Sequence, residues 1–262
     1  MNNLLKNFPG NSNIFHNDLV VRYSEVNQFG ILKLQSLFDY LQQIAAEHAN
    51  SLGYGMNSLY AKGMIWVLSK MDIKIFGTFS PEQQITVCTY PAGTERLHFR
   101  REFEIFDSKT GEVLMQSSSY WLLLNREKLR PLRRETIADV KLENPELPLM
   151  VQQSITIDSV DCPMEEILSD SVRFSQMDIN QHMNNAQYAA LVEDAVYEKI
   201  HAPFEIKDIS VAFLQAQKYP DELQTSIYIN KENKFQLAIS NKSANRPAFT
   251  ACGKFVYTDS QN

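Results

Sequence analysis

The 262 residues suffice for two domains of roughly 100–150 residues each. Hydrophobic residues at 44% and charged residues at 21% describe an ordinary globular chain, and the net charge of −6 argues against general nucleic-acid binding, which needs a basic surface. No apolar run approaches the roughly 18 residues of a membrane span, and the start, Met1 to Asn17, resembles neither a secretory leader nor an Arg- and Ser-rich transit segment, so the expected compartment is the cytosol without membrane insertion. The three cysteines, Cys88, Cys162 and Cys252, lack metal-ligand spacing, so neither a disulfide scaffold nor a structural zinc site is expected. Cys162, beside Pro163, reads as an exposed linker thiol and the others as small buried hydrophobes.

In chain order, Val21-Arg22-Tyr23-Ser24 comes first. About a dozen residues later Leu34, Leu37, Phe38, Leu41, Ile44 and Ala45 recur at the i, i+3, i+4, i+7 spacing of a helix burying one face. Strands are predicted over Ile65–Ile75 and Gln84–Tyr90, with a turn at Ser80-Pro81 between them, then over Phe99–Phe106 and Val113–Leu124 around the turn at Asp107–Gly111. A basic cluster of Arg126, Lys128, Arg130, Arg133 and Arg134 follows, and Arg96, Arg100 and Arg101 form a second group. A weakly periodic stretch with Pro145, Pro148 and Pro163 then reads as a linker.

The same order begins again at Val172-Arg173-Phe174-Ser175, where Arg173 lies 151 residues after Arg22. Tyr188, Leu191, Val192, Ala195 and Val196 predict a second amphipathic helix, followed by strands over Ile209–Gln217, Leu223–Ile229, Phe235–Ser240 and Ala248–Tyr257. The chain therefore reads as a duplication: an N-terminal domain over 1–134, a linker over 135–169 and a C-terminal domain over 170–262. Each half is α+β, one long helix with an antiparallel sheet. That pattern suits a hotdog, in which the sheet curls around the helix, and other α+β sandwiches as well.

Chemistry concentrates just before the second helix, in Asp178-Ile179-Asn180-Gln181-His182-Met183-Asn184-Asn185-Ala186-Gln187-Tyr188. In an extended stretch, side chains two apart point the same way, so Asp178, Asn180 and His182 would project together at the mouth of the helix. A plainer reading has Asn184 and Asn185 as helix caps and His182 as a structural residue. At the 151-residue offset, these three positions carry Asn27, Phe29 and Ile31, so the first copy lacks the polar set.

This segment resembles the D-x-N-x-H-x-N-N-x-x-Y stretch of acyl-acyl-carrier-protein thioesterases of plants and bacteria, with Asp178, Asn180, His182, Asn184, Asn185 and Tyr188 matching position by position. It is also similar to the D-x-x-x-H-x-N motif of single-domain hotdog thioesterases. Trp66-Val67-Leu68-Ser69-Lys70-Met71 is similar to a W-V-L-S-R/K segment of bacterial members, and the resemblance runs from about Val20 to Tyr257. It implies a tandem hotdog fold and hydrolysis of fatty acyl thioesters held on acyl carrier protein, with one site per chain. Asp178 would act as general base or nucleophile, Asn180 would position substrate or water, and His182 would donate a hydrogen bond or a proton. Backbone N–H groups around Asn184, Asn185 and Ala186, unpaired at a helix start, would form an oxyanion hole.

One departure stands out. The family places a Glu in a Y-x-x-E-x-x-Y-G-D stretch, where this chain has Ala216 within Phe213-Leu214-Gln215-Ala216-Gln217-Lys218-Tyr219-Pro220-Asp221. Gln215 or Gln217 would then orient the water, or Asp178 would act unaided. Leu37, Phe38, Leu41 and Ile44 are the expected acyl-pocket lining, with core packing as the alternative. The cluster Arg126, Lys128, Arg130, Arg133 and Arg134 is the expected landing patch for the acidic carrier. No metal or cofactor is expected, and the chain would be a monomer or homodimer. The competing readings are an acyl-coenzyme A thioesterase on the same fold and a hotdog protein that binds acyl chains without cleaving them.

Overall fold

The computed structural model describes residues 3–137, 143–156, 163–244 and 246–258. Cys162 lies outside the described residues, while Cys88 is buried and Cys252 half-buried. By backbone packing the chain divides into two compact units. One comprises the described residues of Met1–Arg22 and Tyr40–Gln152, the other those of Tyr23–Asp39 and Gln153–Asn262.

In the first unit the strands β1 (Phe15–Val20), β2 (Met64–Ile75), β3 (Gln84–Glu95), β4 (His98–Asp107) and β5 (Val113–Asn125) lie in the order β1-β3-β4-β5-β2. All four pairings are antiparallel. The short helix α1 (Leu4–Asn7) precedes β1; the long helix α2 (Leu34–Ser51), whose residues through Asp39 group with the second unit, and the short α3 (Met56–Ala61) precede β2. The predicted helix face is the buried one: Leu34, Leu37, Phe38, Leu41, Ile44 and Ala45 are all buried.

Strand β4 shows how its pleat sorts side chains. Phe103 and Ile105 are fully buried, and Arg101 on the same face reaches the last turns of α2, donating to His48 Nδ1 (3.0 Å) and to Thr89 Oγ1 (3.1 Å). Burial, aided by the Arg101 charge, holds the His48 imidazole down at about 4, so it stays neutral and can accept that bond. The opposite face carries Arg100, Glu102 and Glu104. Arg100 pairs with Glu102 and donates to Val151 O (2.7 Å), while Glu102 also accepts from Met150 N (2.8 Å). Glu104 accepts from Leu4 N and from Gln116 Nε2 (2.8 Å). Arg100 and Arg101 are therefore structural and not a second basic surface. His98 faces Ser69 Oγ (3.3 Å) and packs edge-on to Tyr120.

The same bonds carry the stretch after residue 142 onto the first unit. Asn144 Nδ2 donates to Pro91 O (2.6 Å), and the Tyr90 hydroxyl bonds to Pro148 O. Within the stretch expected as a linker over 135–169, the described residues up to Gln152 group with the first unit, and strand β6 begins at Glu165.

The second unit repeats the plan. Strands β6 (Glu165–Ser171), β7 (Phe204–Phe213), β8 (Glu222–Ile229), β9 (Lys234–Asn241) and β10 (Arg246–Tyr257) take the order β7-β10-β9-β8-β6, again wholly antiparallel. Helix α4 (Asn185–Ile200) lies against β6 and β8 and buries Tyr188, Leu191, Val192, Ala195 and Val196, the residues its periodicity singles out. Strand β7 both begins and ends earlier than expected. Phe204 and Ile206 pair with Tyr257 and Phe255, and beyond Phe213 the amides of Leu214 and Gln215 both turn to Ala248 O, taking the chain out of the ladder. Each half is thus a hotdog, a long helix on a five-stranded antiparallel sheet. Among the described residues no helix is long and apolar enough to cross a membrane.

Candidate active site

The segment Asp178–His182 is a closed turn and not the extended stretch that side-chain alternation suggested. Asp178 N donates to His182 O (2.8 Å), Gln181 N to Asp178 O (3.0 Å), and Met177 and Met183 pair antiparallel across it. Gln181 takes the left-handed conformation (φ 62°) that the turn requires. The Asp178 carboxylate lies inside this turn: Oδ1 accepts from Asn180 N (2.8 Å) and His182 N (3.3 Å), and Oδ2 from Asn180 Nδ2 (3.2 Å). Asp178 and the backbone of His182 are therefore brought together by the turn, with the Asn180 amide on the carboxylate, while the His182 side chain is exposed.

The first copy contains the same turn at the same offset. Val26 pairs with Leu32, Asn27 N donates to Ile31 O (2.8 Å), and Gly30 holds the left-handed position (φ 75°). Asn27 Oδ1 accepts from Phe29 N (2.9 Å) and Ile31 N (3.2 Å), as Asp178 Oδ1 does from Asn180 N and His182 N. A neutral amide thus suffices to build this turn. The carboxylate at position 178 is therefore not required by the hydrogen bonds that close the turn.

Two expectations change. Asn184 is the cap of α4: its Oδ1 accepts from Ala186 N (2.8 Å), and its own N–H donates to Gln176 O (2.9 Å). Two of the three amides assigned to an oxyanion hole are therefore engaged, that of Ala186 by the side-chain cap and that of Asn184 by a backbone carbonyl. What remains at this end is the positive end of the helix dipole. Gln217 is not a water-positioning residue. Fully buried, it accepts from Asn241 Nδ2 (2.7 Å) and donates to the carbonyls of Gln215 (3.2 Å) and Ala216 (3.1 Å). Its backbone carbonyl instead takes the N–H of Met183 (2.7 Å) and so fixes the end of the turn. Gln215 and Ala216 are exposed on the loop after β7.

Leu37, Phe38, Leu41 and Ile44 are all fully or nearly fully buried, as core packing requires too. Arg126, Lys128, Arg130, Arg133 and Arg134 are exposed; Arg126 lies over the Tyr60 ring and Arg134 pairs with Glu143.

Sequence reasoning missed Glu193, on α4. Its carboxyl accepts the N–H of Leu34, the residue that opens α2. Burial above all, with Asp194 adding and Lys33 opposing, pushes it up to about 8. One turn on, Tyr197 contacts the ring of Phe29 (centroids 6.1 Å apart). In the first copy, then, a helix start is covered by the protein's own carboxyl and an aromatic pair. An acidic residue on the rim of an otherwise apolar helix face was the signal available in the sequence.

Comparison with known proteins fits this geometry. Residues 12–139 match the acyl-ACP thioesterase N-terminal domain, and residues 163–251 match the acyl-ACP thioesterase C-terminal domain. The chain belongs to the acyl-ACP thioesterase family. Among curated members, an acyl-[acyl-carrier-protein] hydrolase of Cuphea viscosissima is 23% identical over 217 residues, covering 76% of this chain and 51% of that protein. An oleoyl-acyl carrier protein thioesterase of Arabidopsis thaliana is 24% identical, covering 79% and 61%. The chain spans about half the length of the first of these relatives. Among solved structures, an acyl-ACP thioesterase from Bacteroides thetaiotaomicron superposes with a TM-score of 0.80 at 22% identity, covering 93% of this chain and 98% of that one. A 12:0-ACP thioesterase from Umbellularia californica gives 0.79 at 17% identity, covering 94% and 98%. These likenesses establish the tandem hotdog fold of the acyl-ACP thioesterase family for this chain.

Proposed function

We propose that this chain hydrolyses fatty acyl thioesters carried on acyl carrier protein, releasing free fatty acid and the carrier thiol. The observation that carries the reading is the carboxylate of Asp178, set in a turn that its duplicate builds with Asn27. A thioester has a good leaving group, because a thiol ionises near pKa of about 8.5. The protein's task is then to activate a nucleophile and polarise the carbonyl.

In this mechanism Asp178, held by Asn180 and by the turn amides, takes a proton from an attacking water, or attacks the carbonyl itself to form a mixed anhydride that water then opens. The carbonyl oxygen becomes anionic as the C–O bond to the nucleophile forms, and it lies toward the start of α4, where the helix dipole favours negative charge. Collapse breaks the C–S bond, and exposed His182 supplies a proton to the departing thiolate. With Ala216 in place of the family's Glu, Asp178 carries the activation, with Gln215 the nearest residue in sequence able to orient water. The inner face of α2, with Leu37, Phe38, Leu41 and Ile44, would take the acyl chain, and the basic cluster would receive the carrier. A cytosolic, monomeric or homodimeric chain is part of this proposal, to be checked by fractionation and gel filtration.

Release of free fatty acid from acyl-carrier-protein substrates of graded length, with coenzyme A esters alongside, tests the reading. Faster release from the carrier substrates is expected. Preference for coenzyme A would make it an acyl-coenzyme A thioesterase, and binding without release a non-catalytic acyl-binding protein. Charge reversal at Arg130 and Arg133 together should raise KM for the carrier substrates by about tenfold, the effect of losing two rim charges on association, and leave kcat unchanged. An unmoved KM would make the cluster ordinary surface.

A further inference from the structure

One side chain of the loop after β7, that of Gln217, is fully buried, while Ala216 before it and Lys218 after it are exposed. Its Oε1 accepts from Asn241 Nδ2 at the end of β9 (2.7 Å), and its Nε2 donates to the carbonyls of Gln215 (3.2 Å) and Ala216 (3.1 Å). Asn241 Oδ1 in turn accepts from the N–H and the hydroxyl of Ser243 (3.0 and 2.6 Å). The main chain of Gln217 meets the segment that carries Asp178. Its carbonyl takes Met183 N–H (2.7 Å), and its N–H faces the buried hydroxyl of Tyr188 on the first turn of α4.

The first copy shows what this position needs for packing. Leu214 N and Gln215 N turn to Ala248 O as Phe76 N and Gly77 N turn to Leu114 O, and Asp221 N closes on Lys218 O as Gln83 N closes on Ser80 O. Counting between these matched bonds sets Gln217 opposite Phe79, which is also buried, at 4% exposure. An apolar ring therefore fills the place in the copy without the polar set. A buried amide is disfavoured by desolvation unless its polar atoms are paired, and both ends of the Gln217 amide are paired. Such a fully satisfied group fixes one local conformation, which an apolar side chain does not.

We infer that Gln217 is a positioning residue for hydrolysis: its amide ties the loop after β7 to Asn241, and its carbonyl ties that loop to Met183 and so to the turn that carries Asp178. Met183 is bridged to Met177, the residue before Asp178, so a fixed Gln217 carbonyl holds both ends of the turn. Gln217 acts through the turn and not on the attacking water. The inference deepens the thioesterase reading and rests on it.

Two variants of the full chain test it. Gln217→Met keeps a buried side chain of similar length and removes the amide bonds. Asn241→Asp keeps the acceptor for Ser243, as Asp107 accepts from Lys109 N and Thr110 N at the matching ladder position, and removes the donor to Gln217. Each should fold, lower kcat by about 10- to 100-fold and leave KM nearly unchanged, because a reacting group displaced by about 1 Å loses up to about 100-fold in rate while the binding surface stays. On an Asp178→Asn background, Gln217→Met should lower the residual rate no further, since both changes act through one group. Hydrogen exchange, which needs no turnover, should show Met183 N–H protected in wild type and exchanging at least about tenfold faster in both variants, with the interior amides of α4 unchanged.

An unchanged kcat in the folded variants, a Met183 amide as protected as in wild type, or losses that multiply with Asp178→Asn would each overturn the positioning role and leave hydrolysis standing. Failure of both variants to fold would overturn it too, by making Gln217 a residue of the core. If wild type cleaves no thioester, the proposed function falls and the catalytic half of this inference with it, while the exchange of Met183 still shows whether Gln217 holds the turn.

Discussion

Asp178→Asn should fold as the wild type does and lose turnover by about 10²–10⁴-fold, the usual worth of a positioned acid–base group. The folding half of this prediction comes from the duplicate turn. Asn27 accepts the Phe29 and Ile31 amides through Oδ1 at 2.9 and 3.2 Å, and Asp178 accepts the Asn180 and His182 amides at 2.8 and 3.3 Å. An asparagine at 178 can keep both bonds, and the Asn180 side chain can turn over to present its oxygen. The activity half comes from chemistry: an amide neither takes the proton of water nor attacks a thioester. Thermal unfolding together with steady-state hydrolysis checks both halves. A folded Asp178→Asn enzyme that retains its rate would remove the carboxylate from the mechanism. An unfolded one would show that the turn needs the charge after all.

The second large effect is on stability against pH. Glu193 has its carboxyl raised from an ordinary 4.5 to about 8, so between these values the folded chain holds a proton that the unfolded chain has released. Stability therefore falls as pH rises through that window, by about 1.4 kcal/mol per pH unit at most. His48, lowered to about 4, runs the other way: the folded imidazole is neutral while the unfolded one is charged, so its contribution grows as pH rises from about 4 to 6.5. Comparing Glu193→Gln with wild type cancels the His48 contribution. Glutamine mimics the protonated acid and still accepts the Leu34 N–H, with Lys33 and Asp194 unchanged around it. The variant should match wild type near pH 5 and exceed it at pH 9 by on the order of a few kcal/mol in denaturant titrations. Parallel curves at the two pH values would mean that Glu193 ionises normally. Glu193→Ala should be less stable than Glu193→Gln at either pH, because the α2 start loses its acceptor.

Much of the architecture was legible because it is periodic. The buried faces of α2 and α4 and the strand order follow from spacing, and the 151-residue offset holds down to single hydrogen bonds. Lys33 N to Glu25 O has its counterpart in Asn184 N to Gln176 O. The site was legible in composition but not in shape. Alternation of Asp178, Asn180 and His182 suggested an extended segment, because Gln181 conceals a left-handed position that Gly30 announces openly in the first copy. Reading the turn from Asn27 and Gly30 would have corrected it. Gln217 could not have been placed, since its side-chain oxygen is taken by Asn241, which is distant in sequence. The cap at Asn184 was visible as a helix signal, yet its cost to the oxyanion hole follows only once Ala186 N is seen on its side chain.

The most direct test of the account places purified wild-type chain and the Asp178→Asn variant side by side on acyl carrier protein loaded with fatty acyl chains, and measures free fatty acid by mass spectrometry. Wild type should release fatty acid in step with carrier thiol, and the variant should release almost none while remaining folded. Equal release from the two proteins, or none from wild type at any chain length, would contradict the assignment of Asp178 as the group that activates hydrolysis.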